Sequence, residues 1–235
     1  MESQKITKVR SSETKRRYDD ACAATHGMDI IGERWALPVM RELMLGPRRF
    51  GELKASLPGL SANVLTQRLE GLEAAGVVRR TRLPPPASVQ VYELTAWGYE
   101  AGPIFQAMGR WAAKSPAHDP TRPFSAVSMM LSFRTMMDPA RARGLAARIG
   151  FRIGGQSFVL GVGEGGVSLG RGEAEGLDLV FTGTTDALAA AAYGGVPLRE
   201  LEAAGVLSIA GDRKLAERFV TLFPLPAKAE GPGAH

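Results

Sequence analysis

The sequence predicts an α+β protein of two units: a helix-rich unit closed by a two-stranded hairpin, then an antiparallel sheet covered by helices. Three observations predict it. Apolar residues recur at helical spacing as far as Leu72, then alternate over Val77–Leu83 and Val89–Leu94. A stretch without periodicity, Lys114–Pro123 (KSPAHDPTRP), divides the chain. Beyond it the order becomes a helix, four short strands separated by glycine-containing turns, two helices, a strand and a helix.

Composition sets the bounds. With 235 residues, 45% apolar and 23% charged, the chain suits one or two compact domains rather than general disorder. The net charge of +5 is lopsided, because residues 1–124 hold 18 Lys/Arg against 13 Asp/Glu while residues 125–235 hold 11 of each. A local positive field of this kind suits phosphate. One cysteine, Cys22, rules out an internal disulfide. The polar N-terminus lacks the apolar core of a signal peptide, and no apolar run reaches membrane-spanning length, so a soluble cytoplasmic protein with no membrane partner is expected. The expected divisions are a flexible basic arm (1–18), a helix-rich domain with a hairpin (19–113), a linker (114–123), a sheet-and-helix domain (124–224) and a loose tail (225–235).

In the first unit, Ala21, Ala24, Met28 and Ile31 mark a helix from about Asp19 that ends near Gly32. Leu37, Met40, Leu43 and Met44 form the stripe of a second, Trp35–Leu45, stopped by Gly46-Pro47. Phe50–Ser56 makes a third, with Phe50 and Leu53 inward. Pro58-Gly59 turns the chain, and Ser61 caps a fourth helix whose buried face is Leu65, Leu69 and Leu72. The two strands follow, joined through Pro84, Pro85 and Pro86, which cannot enter a ladder, so the tip should project. A long helix over Ala96–Ala113 carries Trp97, Ala101, Ile104, Phe105, Met108 and Trp111, a stripe too apolar for a solvated helix.

In the second unit a helix is expected over Ser125–Met137. Strands are expected over Ala147–Ile153, Ser157–Gly163, Gly166–Gly170 and Leu177–Thr182. Thr184 or Thr185 caps a helix to Tyr193; Pro197–Ala204 is helical, Val206–Ala210 extended, and Arg213–Phe223 helical.

A short helix, a turn, a polar-fronted helix and a basic hairpin are how a winged helix-turn-helix would be written. Asn63 and Gln67 lie four apart on the outward face of the fourth helix, and each can pair bidentately with adenine. Thr66 adds a hydroxyl and a methyl, and Ser61 presents its cap at the end that would meet the groove. Arg68 on the flank, Arg48 and Arg49 before the third helix, and Arg79, Arg80 and Arg82 on the hairpin are candidate phosphate contacts.

These residues carry a resemblance. Met28-Asp29-Ile30-Ile31-Gly32-Glu33-Arg34-Trp35, Arg41-Glu42-Leu43, Gly46 to Leu53, Leu65-Thr66-Gln67-Arg68-Leu69, Leu72 to Gly76 and Tyr92-Glu93-Leu94-Thr95 resemble, in order, the HxlR family of bacterial transcriptional regulators. The likeness covers about Cys22–Trp111. It implies a winged helix-turn-helix homodimer that acts as repressor or activator on a pseudo-palindromic site in double-stranded DNA. It also implies that the first and last helices of the domain pair, through Met28, Trp97, Ala101, Ile104, Phe105, Met108 and Trp111. Many relatives carry a cysteine before the first helix, and some use it to sense oxidants. Here Cys22-Ala23 replaces the usual Cys-Pro, and Cys22 reads as structural rather than as a sensor.

In the second unit, Leu177 to Leu188 and Gly205 to Asp212 resemble the sterol carrier protein 2 (SCP2)-like fold, over about Ser125–Phe223. Such a resemblance implies an apolar cavity, with Met130, Phe133, Met137, Phe151, Phe158, Leu188 and Phe219 as candidate lining and methionine adapting to ligand shape. The same residues could simply fill a core. Gly161-Val162-Gly163-Glu164-Gly165-Gly166 spells a phosphate-loop pattern but lies between strands, so it reads as a turn. No catalytic set, cofactor motif or Cys/His metal site is found in this half. The expected function is a dimeric regulator, a repressor that responds to a small apolar ligand. The alternatives are a redox-sensing regulator working through Cys22, or a lipid carrier without a specific DNA site.

Overall fold

The structure, a computed structural model, describes residues 18–230. The basic arm expected over 1–18 lies outside the described residues apart from Tyr18, as do residues 231–235 of the tail.

Local sequence explains most of the first half. Its elements are α1 (Ala23–Ile31), α2 (Ala36–Leu43), α3 (Phe50–Ser56), α4 (Ala62–Ala74), β1 (Val78–Arg82) and β2 (Gln90–Leu94). Trp35 has φ 79, a left-handed backbone unusual for a bulky residue, so α2 starts just after it. The Ser61 hydroxyl accepts the Val64 N–H at 3.2 Å and fixes the start of α4. Leu65, Leu69 and Leu72 are buried in step with the helical period. Gly76 ends the helix at φ +75, a conformation that a side chain would strain, and the Val77 N–H returns to the Leu72 carbonyl. β1 and β2 pair antiparallel from Val78↔Leu94 to Arg82↔Gln90. Arg48 extends this ribbon, because its N–H and C=O exchange bonds of 2.9 and 2.8 Å with Tyr92.

The long helix expected over Ala96–Ala113 is broken into α5 (Ala96–Glu100) and α6 (Gly102–Ala113). Pro103 is the cause: it lacks an N–H and stands in the first turn of α6, where that lack is harmless.

The second half comprises α7 (Ala126–Met136), β3 (Ala147–Ile153), β4 (Gln156–Gly163), β5 (Gly166–Arg171), β6 (Leu179–Gly183), α8 (Thr185–Ala192), α9 (Leu198–Ala203), β7 (Leu207–Gly211) and α10 (Arg213–Phe219). The sheet order is β5-β4-β3-β6-β7. Three pairs are antiparallel as expected, whereas β3 and β6 run parallel, because the chain crosses back over residues 172–178 before β6. Thr184 is the cap of α8, its hydroxyl accepting the Ala187 N–H at 3.1 Å. The glycine-rich phosphate-loop pattern is the β4–β5 hairpin, with Gly163 opposite Gly166. On β3, Ile149, Phe151 and Ile153 are buried on one face, which α7 and α10 cover. On the other face a Cβ at Gly150 would meet Ala174 and Leu177, so glycine lets that loop lie on the strand. α10 ends at Phe219, short of the expected Phe223, yet Leu222 and Phe223 remain buried.

The buried apolar residues of both halves form one continuous cluster. α2 and α6 pack on α7. Polar links cross the same boundary: Ser125, the cap of α7, donates to Glu42 Oε1 at 2.6 Å, and Arg48 Nη1 donates to Gln156 Oε1 at 2.5 Å. From the far end of the chain, Lys228 Nζ donates to the carbonyls of Ala113, Ser115 and His118, so the expected loose tail is anchored there.

Candidate nucleic-acid interface

The leucine face of α4 fixes what its other face shows. Ser61, Asn63, Thr66 and Gln67 are all exposed on one side, with α3 and the turn at Pro58-Gly59 behind. Side chains of that length at the start of a helix suit the donor and acceptor code of the major groove. Arg49, Arg79, Arg80 and Arg82 are also exposed and flank this face. Three are held by neighbours. Arg79 Nε lies 2.7 Å from Glu93, Arg82 Nε donates to the Ser88 carbonyl at 3.0 Å, and Arg80 bonds Glu73 at 2.9 Å while lying over the Tyr92 ring. The Glu73 bond, then the fields of Tyr92 and Glu73, raise the Arg80 pKa, so it stays a cation.

Two expected phosphate contacts are placed otherwise. Arg48 is only 6% exposed; its backbone is bound to Tyr92 and its guanidinium reaches Gln156, the Glu52 carbonyl and Ser56. It is therefore an interior residue between the two halves. Arg68 is half-buried and pairs with Glu33 at 3.0 Å, which ties α4 to the α1–α2 turn.

The expected dimer residues divide in two. Met28, Trp97, Ile104, Met108 and Trp111 stay exposed, Trp111 at 76%, and Tyr99 joins them. Met28 and Trp97 border one cleft of about 480 Å³. Ile104, Met108 and Trp111 share one face of α6 by spacing. Ala101 and Phe105 instead turn inward and pack on the core, since the opposite face of α6 rests on α7.

The expected ligand-lining residues are core. Met130, Phe133, Phe151, Phe158, Leu188 and Phe219 are fully buried, and Met137 is half-buried against them. Phe133 stands 4.5 Å from Phe223, 5.4 Å from Phe219 and 5.7 Å from Phe151, centroid to centroid, and Phe151 stacks on Phe181 at 5.6 Å. Rings at these separations touch one another, so they close the space that an apolar ligand would need. A surface cleft of about 550 Å³ opens instead beside α8, α9 and α10, where Tyr193, Val196, Leu198, Val220 and Phe223 meet Arg141 and Arg213. Burial pushes the Tyr193 phenol up to about 12, against a bond with Ser132, so it stays protonated.

Cys22 differs from expectation as well. It is exposed and stands at the N-cap position of α1. The nearby N–H groups of Thr25 and then Ala24, followed by the Thr25 hydroxyl, draw its thiol below the ordinary value, although the sulfur makes no capping hydrogen bond. Among the described residues no three His, Cys, Asp or Glu side chains gather as metal ligands, and no helix is long and apolar enough to cross a membrane.

Sequence reasoning missed the polar seam between the halves. Glu42 is fully buried and takes Arg41 at 2.9 Å and Ser125 on the same oxygen. Arg171 Nη1 shares Gln156 Oε1 with Arg48, at 3.1 Å. The signal in the sequence is the charged pair Arg41-Glu42 inside a stretch of apolar residues, Trp35–Leu45.

Comparisons with known proteins identify the two regions of the chain. A family model described as HxlR-like helix-turn-helix matches residues 30–119, and one described as SCP-2 sterol transfer family matches residues 131–224. The uncharacterized HTH-type transcriptional regulator YvaP of Bacillus subtilis is 38% identical over 87 residues, 37% of this chain and 81% of that protein. The uncharacterized regulator sll1512 of Synechocystis sp. is 40% identical over 87 residues, 37% of this chain and 64% of that protein. The regulator YodB of Bacillus subtilis is 36% identical over 83 residues, 35% of this chain and 74% of that protein. Among solved structures, the reduced form of YodB aligns at a TM-score of 0.38 and 32% identity, covering 42% of this chain and 98% of that one.

Proposed function

This chain belongs to the HxlR-like helix-turn-helix family of transcriptional regulators, and from that premise we propose that it binds double-stranded DNA as a homodimer. Each copy lays α4 in the major groove of one half of a pseudo-palindromic operator. The observation that carries this is the exposed row Asn63, Thr66 and Gln67 on a helix whose other face is anchored by three buried leucines. Arg49, Arg79, Arg80 and Arg82 supply the phosphate grip. Replacing Gln67 with Ala should cost one half-site about 1–3 kcal/mol, roughly 5- to 150-fold in affinity, and relax the preference at one base pair. A duplex-binding titration against scrambled DNA at physiological salt checks it. Equal affinity for operator and scrambled duplex would sink the proposal and favour a carrier role.

In this proposal the second domain controls a repressor, and an apolar effector enters the cleft beside α8, α9 and α10 rather than the close-packed rings.

A second reading rests on Cys22. An exposed thiol with a lowered pKa at a helix start suits oxidation, and solved neighbours include one described as quinone-bound YodB and one as the redox regulator HypR in its reduced form. Cys22→Ser should then abolish any loss of operator affinity on treatment with diamide, and should leave the untreated affinity within about twofold. An identical response in the variant removes the thiol from the mechanism.

A further inference from the structure

We propose that the cleft between the two halves of the chain is a binding site for a small oxyanion, a carboxylate or phosphate group carried by a metabolite. The cleft measures about 830 Å³. On one side stand Arg41, Arg48, Glu52 and Ser56; on the other stand Ser125, Gln156 and Thr184, with Arg171 behind Gln156.

Charge is the first reason. Arg48 Nη1 and Arg171 Nη1 converge on a single neutral acceptor, Gln156 Oε1, at 2.5 and 3.1 Å. Two cations that share an amide oxygen repel one another and receive no countercharge from it. The Arg171 pKa is lowered, first by desolvation and then by Arg48, against the smaller opposing fields of Glu52 and Glu42. Arg41 is already matched by Glu42. The acid left for Arg48 is Glu52, 3.4 Å away and half exposed to water, so the Arg48–Arg171 pair keeps an excess of positive charge.

Unfilled hydrogen-bonding capacity is the second reason. Arg48 lines the cleft with 6% of its surface exposed, and its buried Nε faces the Glu52 carboxylate at 3.4 Å without a hydrogen bond to it. A guanidinium fork is matched best by two oxygens of a carboxylate or phosphate, not by one amide oxygen.

The backbone adds a third. α7 and α8 both begin at this cleft, with Ser125 and Thr184 as their caps. Each cap satisfies one N–H, at Ser128 and Ala187, so other first-turn donors remain without helical partners. An oxyanion held here would touch both halves. It would also reach the hairpin, because Arg48 is bonded through its backbone to Tyr92.

The test uses the full chain without DNA, so its outcome is separate from that of the operator titration. Thermal unfolding and calorimetric titration are run with inorganic phosphate and with acetate, each against chloride at equal ionic strength. Saturable binding of either anion is expected, with a midpoint rise of roughly 5–10 °C at a hundredfold excess over Kd. Gln156→Glu places a carboxylate between the two arginines. It should raise the midpoint without added anion and weaken anion binding at least tenfold. Should that variant not fold, Arg171→Gln on the edge strand should show the same tenfold loss. The hairpin variant Arg79→Ala/Arg82→Ala should bind as the parent does. The site is refuted if phosphate and acetate act no differently from chloride. It is equally refuted if the folded cleft variant keeps full affinity, or if the hairpin variant loses it.

Discussion

Ile104→Asp, made together with Trp111→Asp, should convert the protein to a monomer and lower its affinity for a two-half-site operator by about 10²–10⁴-fold. Both side chains are exposed on α6, and with Met28, Trp97 and Met108 they leave a large apolar surface facing water. That surface is explained if a second copy covers it. Two recognition helices on one rigid body gain affinity because the second half-site is met at high effective concentration; a monomer loses that gain while keeping every contact to one half-site. Sedimentation and an operator titration read the two effects. Affinity for an isolated half-site should change little. A variant that remained dimeric would show that the copies meet elsewhere.

Phe133→Ala should destabilise the second half by about 3–5 kcal/mol, a midpoint fall of roughly 6–20 °C. Phe133 is 1% exposed and touches the rings of Phe151, Phe219 and Phe223, so truncation leaves a void walled by side chains that are themselves pinned by the sheet. Thermal unfolding measures the cost. A loss below about 1 kcal/mol would mean that Phe133 already borders open space, and would restore the apolar chamber expected from the sequence.

What was legible in the sequence was local. Ser61, Ser125 and Thr184 cap helices because a hydroxyl beside free N–H groups needs no distant partner. Leu65, Leu69 and Leu72 face inward for a reason visible in their spacing. What failed was set by tertiary neighbours. Arg48 looked like a phosphate contact, but its fate is decided by Gln156, 108 residues away. Alternation marked the faces of β3 and β6 without saying that they lie side by side and parallel. Phe133, Phe151, Phe158 and Phe219 are apolar enough to line a chamber or to fill a core, and composition does not distinguish the two. The break before α6 was available in Pro103, and the apolar stripe across it obscured the signal.

Lys228 closes the carbonyl end of α6 from 115 residues downstream of Ala113. A polypeptide leaving the ribosome has made α4 and α6 long before that lysine exists. The carbonyls at the end of α6 therefore gain this cation only after nearly all of the second half has been made, so the last described residues add to the stability of a helix of the first half.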